Sequence, residues 1–334
     1  MGQKILFLHQ SWMGFEKRDY EIIKNNFSSE EILIYRNFWY KTLFAVRKII
    51  KADIIFCWFA YRSALLSVLL AKVFKKKIII AVGGWDAASV PEIHYGVMRP
   101  GVRFLLTRLI TKYLVTLADR ILASSEFGKS EIIKNLRVSP KKITVLFLGA
   151  SSNCCTKDEI CDKKEMILTV AAITESNLVR KGLRDVIEVA RLLPGKKFVL
   201  CGTISKKIRI FLNKIIPRNL QIVKFSEESV HDLYRRAKVY VQLSYYETFG
   251  LALAEAMVHE CVPVVTGSSA LPEVAGNTAY YVPYGDLEKI AQAITHAVND
   301  NQKGKMARQR VINFFSLENR EKRLLGVIQD LTAG

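Results

Sequence analysis

Short apolar runs separated by segments with helical spacing recur along the whole chain. KILFLH at 4–9, ADIIFCW at 52–58, KKIIIAV at 76–82 and DRILASS at 119–125 are continuous enough to be strands buried on both faces. Between them the pattern predicts a helix near Arg18 to Asn25 and a short strand at Glu31 to Tyr35. It then predicts a helix with Leu43, Val46, Ile49 and Ile50 on one face, a core helix in RSALLSVLLAKVF at 62–74, and a long apolar helix from Arg103 to Leu117. EFGKSEIIKNL at 126–136 reads as a further helix and KITVLFL, after Pro140, as a strand. This alternation specifies a parallel sheet with right-handed crossovers, which binds ligands beyond the carboxyl ends of its strands.

The segment from Gly149 to Lys164, GASSNCCTKDEICDKK, is small and polar and breaks the pattern, as a linker between domains does. The same alternation then restarts. EMILTVAAI, KKFVLCG, NLQIVKF, Val239 to Leu243 and CVPVVTG read as strands. Helices are expected in TESNLVRKGLRDVIEVARLL, from Ile204 to Ile215, in SVHDLYRRA, at Leu251 to Val258, and in succession from Asp286 to Leu331. The expected fold class is α/β, with two Rossmann-like doubly wound domains at 1–150 and 151–315 and a last helical segment at 316–334.

A chain of 334 residues, half of them hydrophobic, is long enough for two such cores. No apolar run approaches the roughly 20 residues that a spanning helix needs; the longest, Ala64 to Phe74, is interrupted by Lys72. The amino terminus reads as a strand rather than a signal peptide, and Leu6 stands where a myristoylation motif wants Ser or Thr, so a cytoplasmic protein is expected. Six scattered cysteines, including Cys154, Cys155 and Cys161, have no second ligand pair or nearby histidine at metal-binding spacing, and reduced thiols are expected.

Charge changes the picture more. The net charge is +19, and residues 1–150 hold 24 basic against 11 acidic side chains, so +13 of it lies in the first half. Such a half suits nucleic acid, an anionic membrane or an acidic acceptor. Trp39, Tyr40 and Phe44 beside Lys41, Arg47, Lys48 and Lys51 fit a lipid headgroup layer, or a core-packed helix with a solvated basic face. No nucleic-acid recognition motif is present, and none is expected as a partner.

The densest candidate chemistry lies in YYETFGLALAEA at 245–256. Glu247 falls in the loop after a strand, Gly250 at the strand-to-helix turn and Glu255 more than a turn into the helix, so the two carboxylates reach different parts of one ligand. Backbone N–H groups at a helix start hold phosphate well. Arg180-Lys181-Gly182 at another helix entry adds a forked cation and a point charge suited to a diphosphate. In the first half, GGWDAASVPEIHYG after Val82 supplies Gly84 for close backbone approach and Asp86 as an acceptor for hydroxyls. His94 in that loop is either a functional imidazole or a surface histidine.

Glu-x7-Glu, followed by the strand CVPVVTG and by LPEV, resembles the donor-site signature of retaining GT-B glycosyltransferases of the GT4 type, glycosyltransferase group 1. The resemblance covers the second domain well and the first loosely. It implies two domains facing a central cleft, with the last helix, Ser316 to Leu331, crossing back to the first. It implies that Glu247 bonds the donor sugar, Glu255 the ribose, and the backbone of Phe249, Gly250 and Leu251 the sugar and diphosphate. Lys181, with Arg180, would meet the diphosphate, and Phe225 the edge of the base. Where relatives carry an arginine after the preceding strand this chain has Ala171-Ala172, so either Arg180 substitutes or the diphosphate site is weaker. Gly83 stands where relatives carry a histidine, and the first strand–helix turn offers only Gly14 for the acceptor side, with Gly84 and His94 in the later loop.

The expected activity is transfer of a sugar from a UDP- or GDP-linked donor to an acceptor hydroxyl with retention at the anomeric carbon. Glu247 and Asp86 are the catalytic candidates, and neither a cofactor nor a metal is called for. A lipid-linked or cell-envelope glycan is the expected acceptor, and peripheral contact on the inner face of an anionic membrane is expected with it. A non-catalytic sugar-nucleotide or glycan-binding protein of the same fold, and a sugar-nucleotide epimerase, are the alternatives. A hydrolase needs two carboxylates flanking one bond, which Glu247 and Glu255 do not offer.

Overall fold

A computed structural model describes residues 3–10, 12–33, 39–151 and 163–333, the side chains of 39–44 and 333 excepted. Cys154, Cys155, Cys161 and most of the expected linker lie outside these residues, as do the side chains of Trp39, Tyr40, Lys41 and Phe44. The chain divides into two compact units. One is formed by residues up to Leu148 together with those from Glu318 onward, the other by Gly149–Leu317.

The first unit is built on a parallel sheet of β1 (Lys4–His9), β2 (Ser28–Leu33), β3 (Ile54–Trp58), β4 (Lys77–Val82), β5 (Arg120–Ala123) and β6 (Ile143–Val145). Their order is β2-β1-β3-β4-β5-β6, so the direction of winding reverses between β1 and β3. The second unit has β7 (Lys164–Val170), β8 (Lys197–Gly202), β9 (Leu220–Lys224), β10 (Ala237–Gln242), β11 (Val262–Thr266) and β12 (Tyr280–Val282). All pairings are parallel, in the order β12-β11-β10-β7-β8-β9, which reverses between β7 and β10. β3 and β11 are buried at every position because helices cover both faces of each sheet.

Several boundaries differ from those the pattern predicts. β2 starts at Ser28 and not Glu31; as an edge strand it pairs only with β1, and its Ser and Glu side chains are largely exposed. Without an apolar alternation, nothing marked its beginning. The first helix starts at Gly14, several residues early, with Met13 as its N-cap. The helix expected from Ile204 to Ile215 is confined to Lys206–Leu212, entered through Ser205, whose hydroxyl accepts from the Ile208 N–H.

A buried ion pair fixes the C-terminal helix, Leu317–Ala333, within the first unit. Arg320 Nε and Nη2 each lie 2.6 Å from the Asp19 carboxylate, and Nη1 donates to the carbonyls of Leu146 and Phe147. The Trp58 indole N–H completes the shell of Asp19 at 2.9 Å. Both charges are almost wholly out of water, so each depends on the other for solvation.

Two further carboxyls are buried in this unit. Glu16 Oε2 accepts from the Met13 N–H at 2.9 Å, and Asp86 Oδ2 accepts from the N–H groups of Ala60 at 2.9 Å and Gly83 at 3.4 Å. The second oxygen of each has no partner among the described residues. Burial pushes both up to about 7, against the hydrogen bonds they accept.

Arg320→Met leaves Asp19 as an uncompensated buried charge and should cost about 3–5 kcal/mol in urea unfolding of the full chain. A loss under about 1 kcal/mol would make the pair equivalent to a surface bridge. The carboxyls predict a pH dependence. Between the ordinary values of 4.5 for Glu16 and 3.8 for Asp86 and about 7 when folded, the native state holds more protons than the unfolded chain. Their contribution is therefore full below pH ~4, declines as pH rises, and is spent above ~7. Asp86→Asn should flatten that slope in unfolding curves compared at acidic and mildly alkaline pH; an unchanged slope would mean the folded carboxyl titrates normally.

Candidate functional site

The winding reversal of the second sheet brings the carboxyl ends of β7 and β10 side by side, and the second unit's candidate residues follow those ends. After β7 the chain passes through Ala171 and Ala172 into a short helix, Glu175–Arg180, capped by the Thr174 hydroxyl. Lys181 follows, then Gly182, which begins the helix Leu183–Leu192 at φ +63°. A Cβ on Gly182 would lie 2.1 Å from the Leu243 carbonyl, so glycine is required by both backbone conformation and close approach to the end of β10. The Tyr245 N–H donates to the Arg180 carbonyl at 2.9 Å, fastening the two loops together.

This fastening places Lys181 against Glu247. The ammonium is paired with Glu247 Oε2, and both side chains are largely buried. Gln242 Nε2, at the end of β10, donates to the same oxygen at 3.2 Å. The Glu247 N–H donates to Ser269 Oγ at 3.1 Å, and its carbonyl accepts from Ala270. Burial opposes ionisation of Glu247, but the charges of Lys181 and Arg180 outweigh it and hold the carboxyl below the usual carboxylate range. Burial, only partly offset by Glu247, lowers Lys181 from its ordinary value. The pair is poised so that an incoming anion can draw Lys181 away from Glu247, freeing a carboxylate to accept from hydroxyls.

Gly250, at φ +96°, caps the helix Leu251–Val258. A Cβ there would come within 3.0 Å of Leu271, at the start of the Leu271–Ala275 helix. Phe249 is buried edge-on against Phe315, with ring centroids 5.6 Å apart, so position 249 offers a ligand its backbone and not its ring. The first N–H groups of the helix have no intrahelical acceptors, and the dipole's positive end lies beside Glu247 and Lys181.

Glu255, one turn in, accepts from the Tyr234 hydroxyl at 3.4 Å, while its carbonyl meets His259 Nδ1 at 2.8 Å. Tyr234 and Tyr240 are buried neighbours, their centroids 6.1 Å apart. The Tyr240 hydroxyl reaches Gln242 Oε1 at 3.4 Å. Tyrosines and Gln242 thus lie between the two glutamates, and burial drives both phenols well above their ordinary value. None of the three stood out in the sequence: Tyr240 and Gln242 lie in a strand, AKVYVQ, that shows only as core, and Tyr234 lies on the preceding helix, Glu227–Arg236. Arg180 holds Asn177 Oδ1 with two N–H groups, at 3.1 and 2.7 Å, and Asn177 in turn donates to the Ala172 carbonyl. Phe225, exposed, follows the end of β9, whose neighbour β8 is also the neighbour of β7.

The first unit's candidates are less alike. Gly14 is exposed at the first position of its helix, with open space where a Cβ would stand, so no steric demand selects glycine there. Gly84 begins the short helix Gly84–Ala87, and Asp86 beneath it is 1% exposed and directed at the backbone of Gly83 and Ala60. His94 is exposed in a left-handed conformation at φ +51°.

Comparison with known proteins bears on the second unit most directly. Residues 156–314 match the family model described as glycosyl transferases group 1. The capsular polysaccharide biosynthesis glycosyltransferase CapM of Staphylococcus aureus is 26% identical over 240 residues, covering 65% of this chain and 63% of that one. The O-antigen chain mannosyltransferase B of Escherichia coli is 26% identical over 223 residues, covering 60% and 58%. The match therefore spans about three fifths of either curated relative. Among solved structures, Anabaena HepE in complex with UDP and glucose superposes with a TM-score of 0.79 at 15% identity, covering 98% of this chain and 99% of that one. The two parallel six-stranded sheets are those of the GT-B fold, and the stretch that matches the glycosyl transferases group 1 model falls within the second unit.

Proposed function

We propose that this chain is a retaining, metal-independent hexosyltransferase of the GT4 type, moving a sugar from a UDP- or GDP-linked donor to a hydroxyl of a lipid-linked or cell-envelope glycan. The observation that carries the reading is the Lys181–Glu247 pair beside the start of the Leu251–Val258 helix, at the winding reversal of the second sheet. UDP and glucose in the HepE structure, and the polysaccharide roles in the names of the two curated relatives, support the donor and acceptor classes.

In this reading the donor diphosphate meets the backbone N–H groups at Gly250 and Leu251 and takes Lys181 as its counter-charge, with Arg180 alongside. Glu247, released from Lys181, accepts from sugar hydroxyls, and Glu255 accepts from the ribose. As the bond between the anomeric carbon and the phosphate oxygen breaks, its electron pair leaves with the diphosphate. The cations and the helix start stabilise that growing negative charge. Phe225 borders the base. On the acceptor side Asp86 acts by holding the loop after β4, since its Oδ2 is engaged by two backbone N–H groups. No helix among the described residues is long and apolar enough to cross a membrane. With +13 in residues 1–150, peripheral contact with the inner face of an anionic membrane is part of the proposal.

A thermal-shift panel of UDP-, GDP- and ADP-sugars tests the donor site. One nucleotide class should raise the melting temperature, and Lys181→Ala and Glu247→Ala should each weaken it at least about tenfold, or ~1.4 kcal/mol. Turnover with envelope extract giving product of unchanged anomeric configuration completes the reading; binding without turnover would make this a sugar-nucleotide-binding protein. Without ligand, a double-mutant cycle on Lys181 and Glu247 should give a coupling of about 0.5–3 kcal/mol. A coupling near zero would mean the contact does no energetic work.

A further inference from the structure

The helix Leu105–Leu117 in the first unit is apolar on the wrong side. Its inner face, Thr111, Leu114 and Val115, is buried, with the Thr111 hydroxyl donating to the Ala60 carbonyl at 3.1 Å. The outer face should be polar. Instead Leu105, Leu106, Leu109 and Tyr113 stand there at 46, 57, 57 and 50% exposure, and Val102, one turn earlier, at 87%. The spacing makes a single stripe along the helix and its leading turn, Val102–Phe104. An exposed stripe of this kind marks a surface that meets something apolar.

The charges within the stretch that carries the stripe are of one sign. From Ile93 to Ala118 there is no Asp or Glu, while Arg99, Arg103, Arg108 and Lys112 fall within it. Arg99 and Arg103 lie over the Phe104 ring, 4.4 and 5.9 Å from its centroid, and Arg108 donates to the Arg99 carbonyl at 2.8 Å. A surface hollow of about 350 Å³ beside the helix is lined by Leu105, Leu109, Arg108 and Lys112, with Lys134 and Arg137 from the helix Glu126–Leu136 and its C-cap. Asp119, the first carboxylate after this stretch, is paired with Lys72 at 3.0 Å.

We infer that this face lies on a bilayer that displays anionic headgroups, with the leucines and Tyr113 at the acyl boundary and the flanking cations reaching the phosphates. Apolar insertion and lipid charge act together at such a surface, and arginine and lysine stems extend along apolar surface while their heads stay wet. A second copy is a poor occupant, because a two-fold interface would bring one cationic rim, Arg103, Arg108 and Lys112, against another. The inference deepens the membrane part of the proposed function by naming the surface, and it does not depend on the donor site. It also differs from the sequence reading, in which the lipid-contact candidate was the helix at Trp39–Lys51, with a core-packed helix as the other reading.

Vesicle flotation of the full chain tests it, with phosphatidylcholine alone and with equimolar phosphatidylcholine and phosphatidylglycerol. The wild type should float only with the anionic vesicles and be released by salt. Leu106→Ser with Leu109→Ser, and separately Arg103→Glu with Lys112→Glu, should each reduce flotation at least about tenfold, with the ligand-free melting temperature unchanged. These side chains are exposed, so the variants should fold, and that melting temperature reports it. Failure of the wild type to float, or variants that float as well as it does, would overturn the inference. So would a loss produced by Arg47→Glu with Lys51→Glu alone, which would move the contact to the other helix. A dimer in lipid-free buffer abolished by Leu106→Ser with Leu109→Ser would overturn it in favour of self-association.

Discussion

Lys181 and Glu247 are largely buried together, and each lowers the cost of the other's charge. That condition makes the geometry of two loops interdependent. Gly182 must approach the Leu243 carbonyl more closely than any side chain permits, and the Tyr245 N–H must reach the Arg180 carbonyl. Ser269 must meet the Glu247 N–H. The strand ends at β7 and β10 converge because the winding reverses there, so the sheet supplies the nearness and the ion pair gives it chemical purpose. The two loops are held together by charge, a less costly arrangement than burying a lone lysine.

The polar residues beneath the pair extend the same logic. Gln242 reaches both Glu247 and Tyr240, and Tyr234 reaches Glu255. Buried hydroxyls and an amide that bond carboxylates fix their orientation as well as their ionisation. Glu247 and Glu255 belong to different elements, a loop and a helix, yet the tyrosines and Gln242 between them link their positions. A ligand touching both carboxylates therefore meets a prearranged spacing and not two independent side chains.

The sequence made some of this legible. Alternation of continuous apolar runs with helical segments sufficed for both parallel sheets, because strands covered on two faces leave an unmistakable signature, as in IIFCW and VPVVT. β2 escaped because an edge strand with SSEEI in it buries too little to leave one. Glu247, Lys181 and Gly250 were visible as charges and a glycine at strand-to-helix turns. Gln242 and Tyr240 were not, since a polar atom inside an apolar run looks like core until its partner is known, and nothing local marks Tyr234 on its helix or Ser269 in its loop. Arg180 read as a phosphate ligand, yet Asn177, three residues earlier, holds its guanidinium. Asp86 read as a group open to hydroxyls and is instead folded under its own loop.

The helix Leu105–Leu117 exposes a deeper limit of reading from pattern. LLTRLITKYLVTL is apolar on most of its circumference, and such a helix is ordinarily assigned to a core. Hydrophobicity records that a face leaves water but not what it leaves water for. Here the protein covers only the side with Thr111, Leu114 and Val115, and Leu105, Leu106 and Leu109 remain uncovered. The sequence carried a second cue to the inferred surface, in the charges and not the leucines. Twenty-six residues from Ile93 to Ala118 without a carboxylate, but with four cations, are hard to reconcile with a helix meant to face water or another protein core. Solvated helices intersperse both signs, and cores tolerate neither. A one-signed rim around an apolar stripe satisfies a surface that is apolar within and anionic at its edge, which is the physical description of a bilayer leaflet.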